Sequence, residues 1–313
     1  MLFNHPLQHR PESLAELEAR LARPKQDGGE LLALAKECVI HGHSAATDVI
    51  AKLRQNPETK GMVLYHQYLE RAYENLRRDF QLENQSEQTI RDFYSLNGHM
   101  IIPAKSKSNK LLVLFATMFN NFNISTLAMV SIIQKHYDVN ILILKDATLY
   151  GFHNGVEGFA TDPDGIATGI QDVAKQIGAD SIYISAFSLG GYIALLTSML
   201  LPTRGYLGFS HYTDQRVNSP LLFPSPVYPT SKLDNLDPKW RLDLRPMLEK
   251  ADPAIPRWMY YGGQSPNDIA HGENLAGLNT IKVICLPTAW HETVEHALSS
   301  DSLITMYGEL LSA

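Results

Sequence analysis

A serine hydroxyl becomes a useful nucleophile when a base takes its proton and a carboxylate holds that base in place. Ser188, Asp268 and His291 have the types and the chain order for such a relay. Ser188 lies in Ala186-Phe187-Ser188-Leu189-Gly190-Gly191, between an apolar, partly β-branched run, Ile182 to Ala186, and a helix-like run, Tyr192 to Leu200. A strand that reverses sharply into a helix strains the residue at the turn and presents its side chain at the C-terminal edge of a sheet, a nucleophile elbow. The turn needs small residues two positions to either side, which Ala186 and Gly190 supply; Ala186 stands where glycine is usual. An ordinary strand–Ser–Gly–Gly–helix turn would read the same way, so the partners decide.

Those partners fall where the chemistry needs them. The last apolar run, Ile281 to Leu286, leads into Pro287-Thr288-Ala289-Trp290-His291, which puts His291 in a loop on the serine's side of the sheet. The run before it, Trp258 to Tyr261, leads into Gly262 to Asp268, which puts Asp268 in the adjacent loop. Asp214, after the strand Gly205 to Phe209, is the runner-up acid, and His211, His271 and His153 are pocket-lining alternatives. His296 follows His291 by five positions, one too many for a His-Glu-x-x-His zinc helix. His41-Gly42-His43 has no companion ligand nearby, so no metal is expected. Acyl transfer also needs donors for a developing oxyanion. The backbone N–H of Leu189 is one candidate. Met118 is the other, with Thr117 and Phe119 as alternatives, because no glycine-rich run follows the strand Lys110 to Ala116. Asn120 or Asn121 could add an amide or cap the next helix.

The elements that must position these groups alternate. Strands are expected at Phe93–Pro103, Lys110–Ala116, Val139–Leu144, Ile182–Ala186, Gly205–Phe209, Trp258–Tyr261 and Ile281–Leu286. Helices are expected at Leu127–Tyr137, Gly165–Ile177, Leu244–Lys250, Ala270–Leu278 and Thr293–Leu311. Short apolar strands alternating with helices imply an α/β, doubly wound, mostly parallel sheet, with ligands at the C-terminal strand ends. Residues 211–256 break the rhythm with Pro220, Pro224, Pro226, Pro229, Pro238, Pro246, Pro253 and Pro256 among aromatic and aliphatic residues, and read as a lid over an apolar pocket. Residues 1–90 differ: helical spacing recurs at Ser13–Leu21, Glu30–Ile40, Ala45–Leu53 and Met62–Phe80, giving three or four helices without strands. The expected division is a helical N-terminal region, 1–90, and an α/β domain, 91–313.

A net charge of −6 argues against a nucleic-acid binder. Cys38 and Cys285, far apart, form no disulfide framework. The N-terminus lacks a basic and then apolar leader, and no apolar run reaches membrane length, so a cytoplasmic protein is expected.

Over residues 92–313 the chain resembles the α/β-hydrolase superfamily, through Ala186-Phe187-Ser188-Leu189-Gly190-Gly191, Asp268 and His291. It also resembles a loosely defined branch of bacterial hydrolase-like proteins with a helical N-terminal part and a motif like Tyr261-Gly262…Asp268-Ile269-Ala270-His271. The resemblance implies serine acyl hydrolysis without metal or organic cofactor, and the leading expectation is a small-molecule ester or thioester as substrate. It leaves the substrate open, because one fold hosts many chemistries. The alternatives are an acyltransferase with the same triad, and a non-catalytic scaffold whose helical region recruits a partner or forms an oligomer.

Overall fold

The computed structural model describes residues 14–24, 26–117, 121–222 and 234–313. Five helices come first: α1 (Leu14–Leu21), α2 (Gly28–His41), α3 (Ala46–Gln55), α4 (Val63–Asp79) and α5 (Glu87–Tyr94). The alternating part follows, in the order β1 (His99–Ile102), β2 (Lys110–Phe115), α6 (Thr126–His136), β3 (Asn140–Leu144), α7 (Pro163–Ile177), β4 (Ser181–Phe187) and α8 (Gly191–Leu200). It ends with β5 (Thr203–Phe209), α9 (Arg245–Leu248), β6 (Arg257–Gly262), α10 (Pro266–Leu275), β7 (Lys282–Leu286), α11 (Thr293–Ser299) and α12 (Leu303–Leu311).

The seven strands form one sheet in the order β1-β3-β2-β4-β5-β6-β7, parallel except for β1 against β3. Alternate strand residues bury on opposite faces, as the two-residue period of a strand requires. Leu112, Leu114, Tyr183, Leu207 and Phe209 pack with the N-terminal helices, α6, α11 and α12. Leu111, Val113, Phe115, Ile182, Ile184 and Ala186 pack with α7, α8, α9 and α10. Both faces are covered, which is why the central strands are nearly all apolar. This is the α/β-hydrolase fold, a doubly wound sheet with a sharp, left-handed strand-to-helix turn after a central strand.

The N-terminal helices share their core with this face. Leu34, Leu53, Leu69 and Leu76 belong to the same apolar cluster as Phe187 and Leu310. Asn75 Nδ2 donates to the Leu298 carbonyl at 2.8 Å, the Ser125 N–H donates to the Ile40 carbonyl at 2.8 Å, and Lys135 pairs with Asp79 at 2.9 Å. Polar bonds thus lock α2 and α4 onto α6 and α11.

Three boundaries differ from expectation. The segment expected as a strand from Phe93 opens instead as the end of α5, a fifth helix, whose start is capped by Ser86 accepting from the Thr89 N–H; β1 begins only at His99. The single C-terminal helix expected from Thr293 to Leu311 is two, because Asp301 takes a left-handed backbone (φ 60°) and the Ser300 hydroxyl bonds back to the His296 carbonyl. The helix expected from Ala270 starts earlier, with Ser265 as N-cap and Pro266 in its first turn, so Asp268 lies in a helix and not in a loop. Part of the expected lid, residues 223–233, lies outside the described residues.

Candidate active site

β4, β5, β6 and β7 run parallel and in register, Phe187 beside Phe209, Phe209 beside Tyr260 and Gly262 beside Leu286. Everything that follows these strands therefore gathers at one edge. The sheet order also reverses at β2, which has β3 on one side and β4 on the other, and the crevice outside such a switch is where doubly wound sheets bind ligands.

Ser188 sits at the turn from β4 into α8 with φ 54°, a left-handed backbone unusual for a residue with a side chain. Such conformations persist only where the surroundings enforce them. Gly190 shows the enforcement: a Cβ there would lie 2.4 Å from the Ala116 carbonyl oxygen, so the elbow is wedged against the end of β2. Ala186 is buried at the matching position on the other side, and its methyl is accommodated.

The Ser188 hydroxyl lies 2.7 Å from His291 Nε2, and His291 Nδ1 lies 2.8 Å from Asp268 Oδ1. The hydroxyl donates to Nε2 when Nδ1 carries the ring proton and donates it to the carboxylate. His291 packs against the Phe187 ring, with centroids 5.4 Å apart. Its loop is clamped onto the end of β6, with the Gly263 N–H on the Leu286 carbonyl and the Gln264 N–H on the Ala289 carbonyl, both 2.9 Å. Gly262 permits this, since a Cβ there would lie 1.9 Å from the Trp290 carbonyl oxygen.

Asp268 is fully buried. Burial alone would push its carboxyl up; the His291 charge, with hydrogen bonds from His291, Ser210 and Ser265, outweighs it and holds the carboxyl below its usual range. Burial weighs against protonating His291 too, but Asp268 outweighs it and raises the imidazole above its ordinary value. The His291 side chain nevertheless remains 42% exposed.

The alternatives are all occupied elsewhere. Asp214 accepts Arg216 Nη2 at 2.7 Å and the Ser219 hydroxyl at 2.6 Å and does not reach the imidazole. His211 Nε2 lies 2.8 Å from the Tyr206 hydroxyl, and His271 Nδ1 accepts from the Thr213 N–H at 3.1 Å. His153 Nε2 donates to Gln215 Oε1 at 2.6 Å and its ring stacks on Tyr192. His296 stacks on Tyr68, and His41 Nδ1 lies 2.6 Å from the Tyr94 hydroxyl. Among the described residues no group of three or more His, Cys, Asp or Glu could hold a metal ion, and no helix is long and apolar enough to cross a membrane.

Of the expected oxyanion donors, Leu189 follows Ser188 at the start of the elbow helix, while Met118, Phe119 and Asn120 lie outside the described residues. Asn121 folds its own loop: its Oδ1 accepts from the Thr117 hydroxyl at 3.2 Å and the Asn123 N–H at 3.1 Å, and Ser125 caps the next helix. The Leu189 side chain packs with Leu236, Tyr150, Tyr212 and Leu222 in a small apolar cluster beside Ser188 in the chain.

Sequence reasoning missed several supporting groups. Ser210, itself left-handed (φ 43°), stands after β5 where it helps keep the Asp268 carboxyl low, and its hydroxyl lies 2.9 Å from that of Thr293. Ser265 was findable from the Ser-Pro helix start. Lys36, Glu292 and Glu295 also gather beside His291; Lys36 Nζ reaches Glu292 at 3.1 Å across 256 positions of chain, so spacing gave no signal.

No family model matches the chain, and no curated protein matches it. Among solved structures it is similar to MenH from S. aureus, at 15% identity over 69% of this chain and 98% of that one, with a TM-score of 0.48. It is similar to carboxyl esterase 2 from the mycorrhizal fungus Tuber melanosporum at 14% identity, 68% and 81% coverage and a TM-score of 0.47. It is also similar to Est1E from Butyrivibrio proteoclasticus at 10% identity, 69% and 95% coverage and a TM-score of 0.47. None reaches a TM-score of 0.5, and the fold and site of this chain rest on its own sheet order and distances.

Proposed function

We propose that this chain is a serine hydrolase that cleaves a small carboxylic ester or thioester. The observation that carries the reading is the unbroken relay from Ser188 through His291 to buried Asp268, standing on a strained elbow at the sheet's switch point. A buried carboxylate costs free energy unless something repays it, and holding a tautomer for a base is a use that fits.

In this reading Ser188 Oγ attacks the acyl carbonyl carbon as His291 Nε2 takes its proton. The imidazolium is stabilised by Asp268. The Leu189 N–H and a second donor from the loop after β2 stabilise the tetrahedral oxyanion. His291 then gives the proton to the leaving alcohol or thiol, and the acyl group stays on Ser188. Water, deprotonated by His291, attacks the acyl-enzyme and frees the acid and the serine. The cluster of Leu189, Leu236, Tyr150, Tyr212 and Leu222 favours an apolar acyl group. Turnover of short-chain p-nitrophenyl esters and acyl thioesters by the wild type, lost in Ser188→Ala, tests the reading. A Ser188→Ala protein with wild-type turnover sinks it.

A further inference from the structure

Resting on that reading, we propose that Lys36, carried by the N-terminal helix α2, is a positioning residue for His291: it ties the loop that holds the imidazole to the helical layer and balances the charge behind it. His291 is gripped through its ring by Asp268, but a ring is only as well placed as its backbone. That backbone leads directly into Glu292, whose Oε1 takes the Lys36 ammonium at 3.1 Å. One turn on, Glu295 is fully buried and shares the same cation. Tyr65 and Tyr68 of α4 face the cluster, and the Tyr68 hydroxyl bonds Glu295. Glu295 Oε2 has no hydrogen-bond partner among the described residues.

Two carboxylates at the foot of a base would be poorly placed without a cation. Burial of the Lys36 ammonium disfavours its charge, yet Glu292 and Glu295 reverse this and hold it charged. Burial drives the Glu295 carboxyl up to about 7 despite Lys36. Burial also opposes the Glu292 charge, but Lys36 and His291 keep that carboxyl low. The groups facing the imidazole are thus Asp268 of α10 and Glu292 of its own loop, which favour its protonation, and Lys36 of α2, which opposes it; Glu295, Tyr65 and Tyr68 act through Lys36. A lysine with a purely scaffolding role would alter the amount of active protein. A lysine that positions and neutralises also alters the pH at which His291 becomes a base.

The test is the rate of Ser188 labelling by a fluorophosphonate as a function of pH, in wild type, Lys36→Met, Lys36→Arg and Glu292→Gln. Labelling needs a neutral imidazole, so each profile has an acid limb set by His291. Lys36→Met should move the limb to higher pH, since the opposing cation is gone and Glu292 is left uncompensated. It should also lower the rate above the limb, by up to about 100-fold if the ring is misplaced by an ångström. Lys36→Arg should restore the limb. Glu292→Gln, at a part-exposed position, should move it to lower pH and keeps the test open if Lys36→Met does not fold. Limbs that coincide with wild type in Lys36→Met or Glu292→Gln overturn the inference while leaving the hydrolase reading intact. A folded wild type that the probe never labels overturns both.

Discussion

Ser188 stands at φ 54° with its hydroxyl on an imidazole whose other nitrogen meets a buried carboxylate. Because Asp268 holds the His291 proton more tightly than water would, the ring stays cationic to a pH above that of a free imidazole. Only the neutral ring can accept the serine proton, so activity should rise with pH through a limb above the ordinary histidine value, which a pH–rate profile would locate. Asp268→Asn removes the charge that raises the ring. Its limb should fall toward lower pH and its rate by about 10⁴-fold, the scale known for this substitution in a serine triad. Ser188, His291 and Asp268 were legible in the sequence because each follows a strand at one sheet edge. Ser210 was not, since a lone serine after a strand has no distinguishing pattern. Nor was the idleness of Asp214, whose carboxylate is claimed by Arg216 and Ser219, a pairing that depends on how its loop folds.

The elements match their sequence periodicity where that is strong and depart from it where a cap or a backbone kink decides. All seven strands appear, because apolar runs with turn residues at each end leave a buried strand few alternatives. The start of α10 at Pro266 and the break at Asp301 depend on Ser265 and Ser300 hydroxyls bonding to nearby backbone, which apolar spacing does not register. At the elbow, Gly190→Val should destabilise the fold by about 1–3 kcal/mol or more, the scale of overpacking, because the Ala116 carbonyl oxygen occupies the space. The urea midpoint and probe labelling should fall together. α7 offers a contrast: Asp162 caps it by accepting from the Gly165 N–H at 2.7 Å, with no bond to the relay. Asp162→Ala should lower stability by about 1 kcal/mol in urea with labelling unchanged.

At the scale of the whole molecule, the N-terminal helices and one sheet face share a single apolar cluster. A chain starting at residue 95 would expose that face, and it should lose its cooperative thermal transition or aggregate; a chain that melts as sharply as the full protein would contradict the shared core. Buried imidazoles set the acid response. Burial lowers His41, His153, His211 and His271 to about 4. A histidine depressed in the folded state stabilises it above the unfolded value of 6.5 and loses that contribution as pH falls toward 4. Each contributes a slope of at most about 1.4 kcal/mol per pH unit, and the raised His291 and the raised Glu295 carboxyl oppose the four of them. The melting temperature should therefore drop steeply from pH 6.5 toward pH 4. The central claim, an activated serine, is tested most directly by treating the folded protein with a fluorophosphonate probe and mapping the modified peptide. The account predicts a single adduct on Ser188, lost in Ser188→Ala and His291→Ala; a folded wild type without that adduct, or with labelling unaffected by His291→Ala, would contradict it.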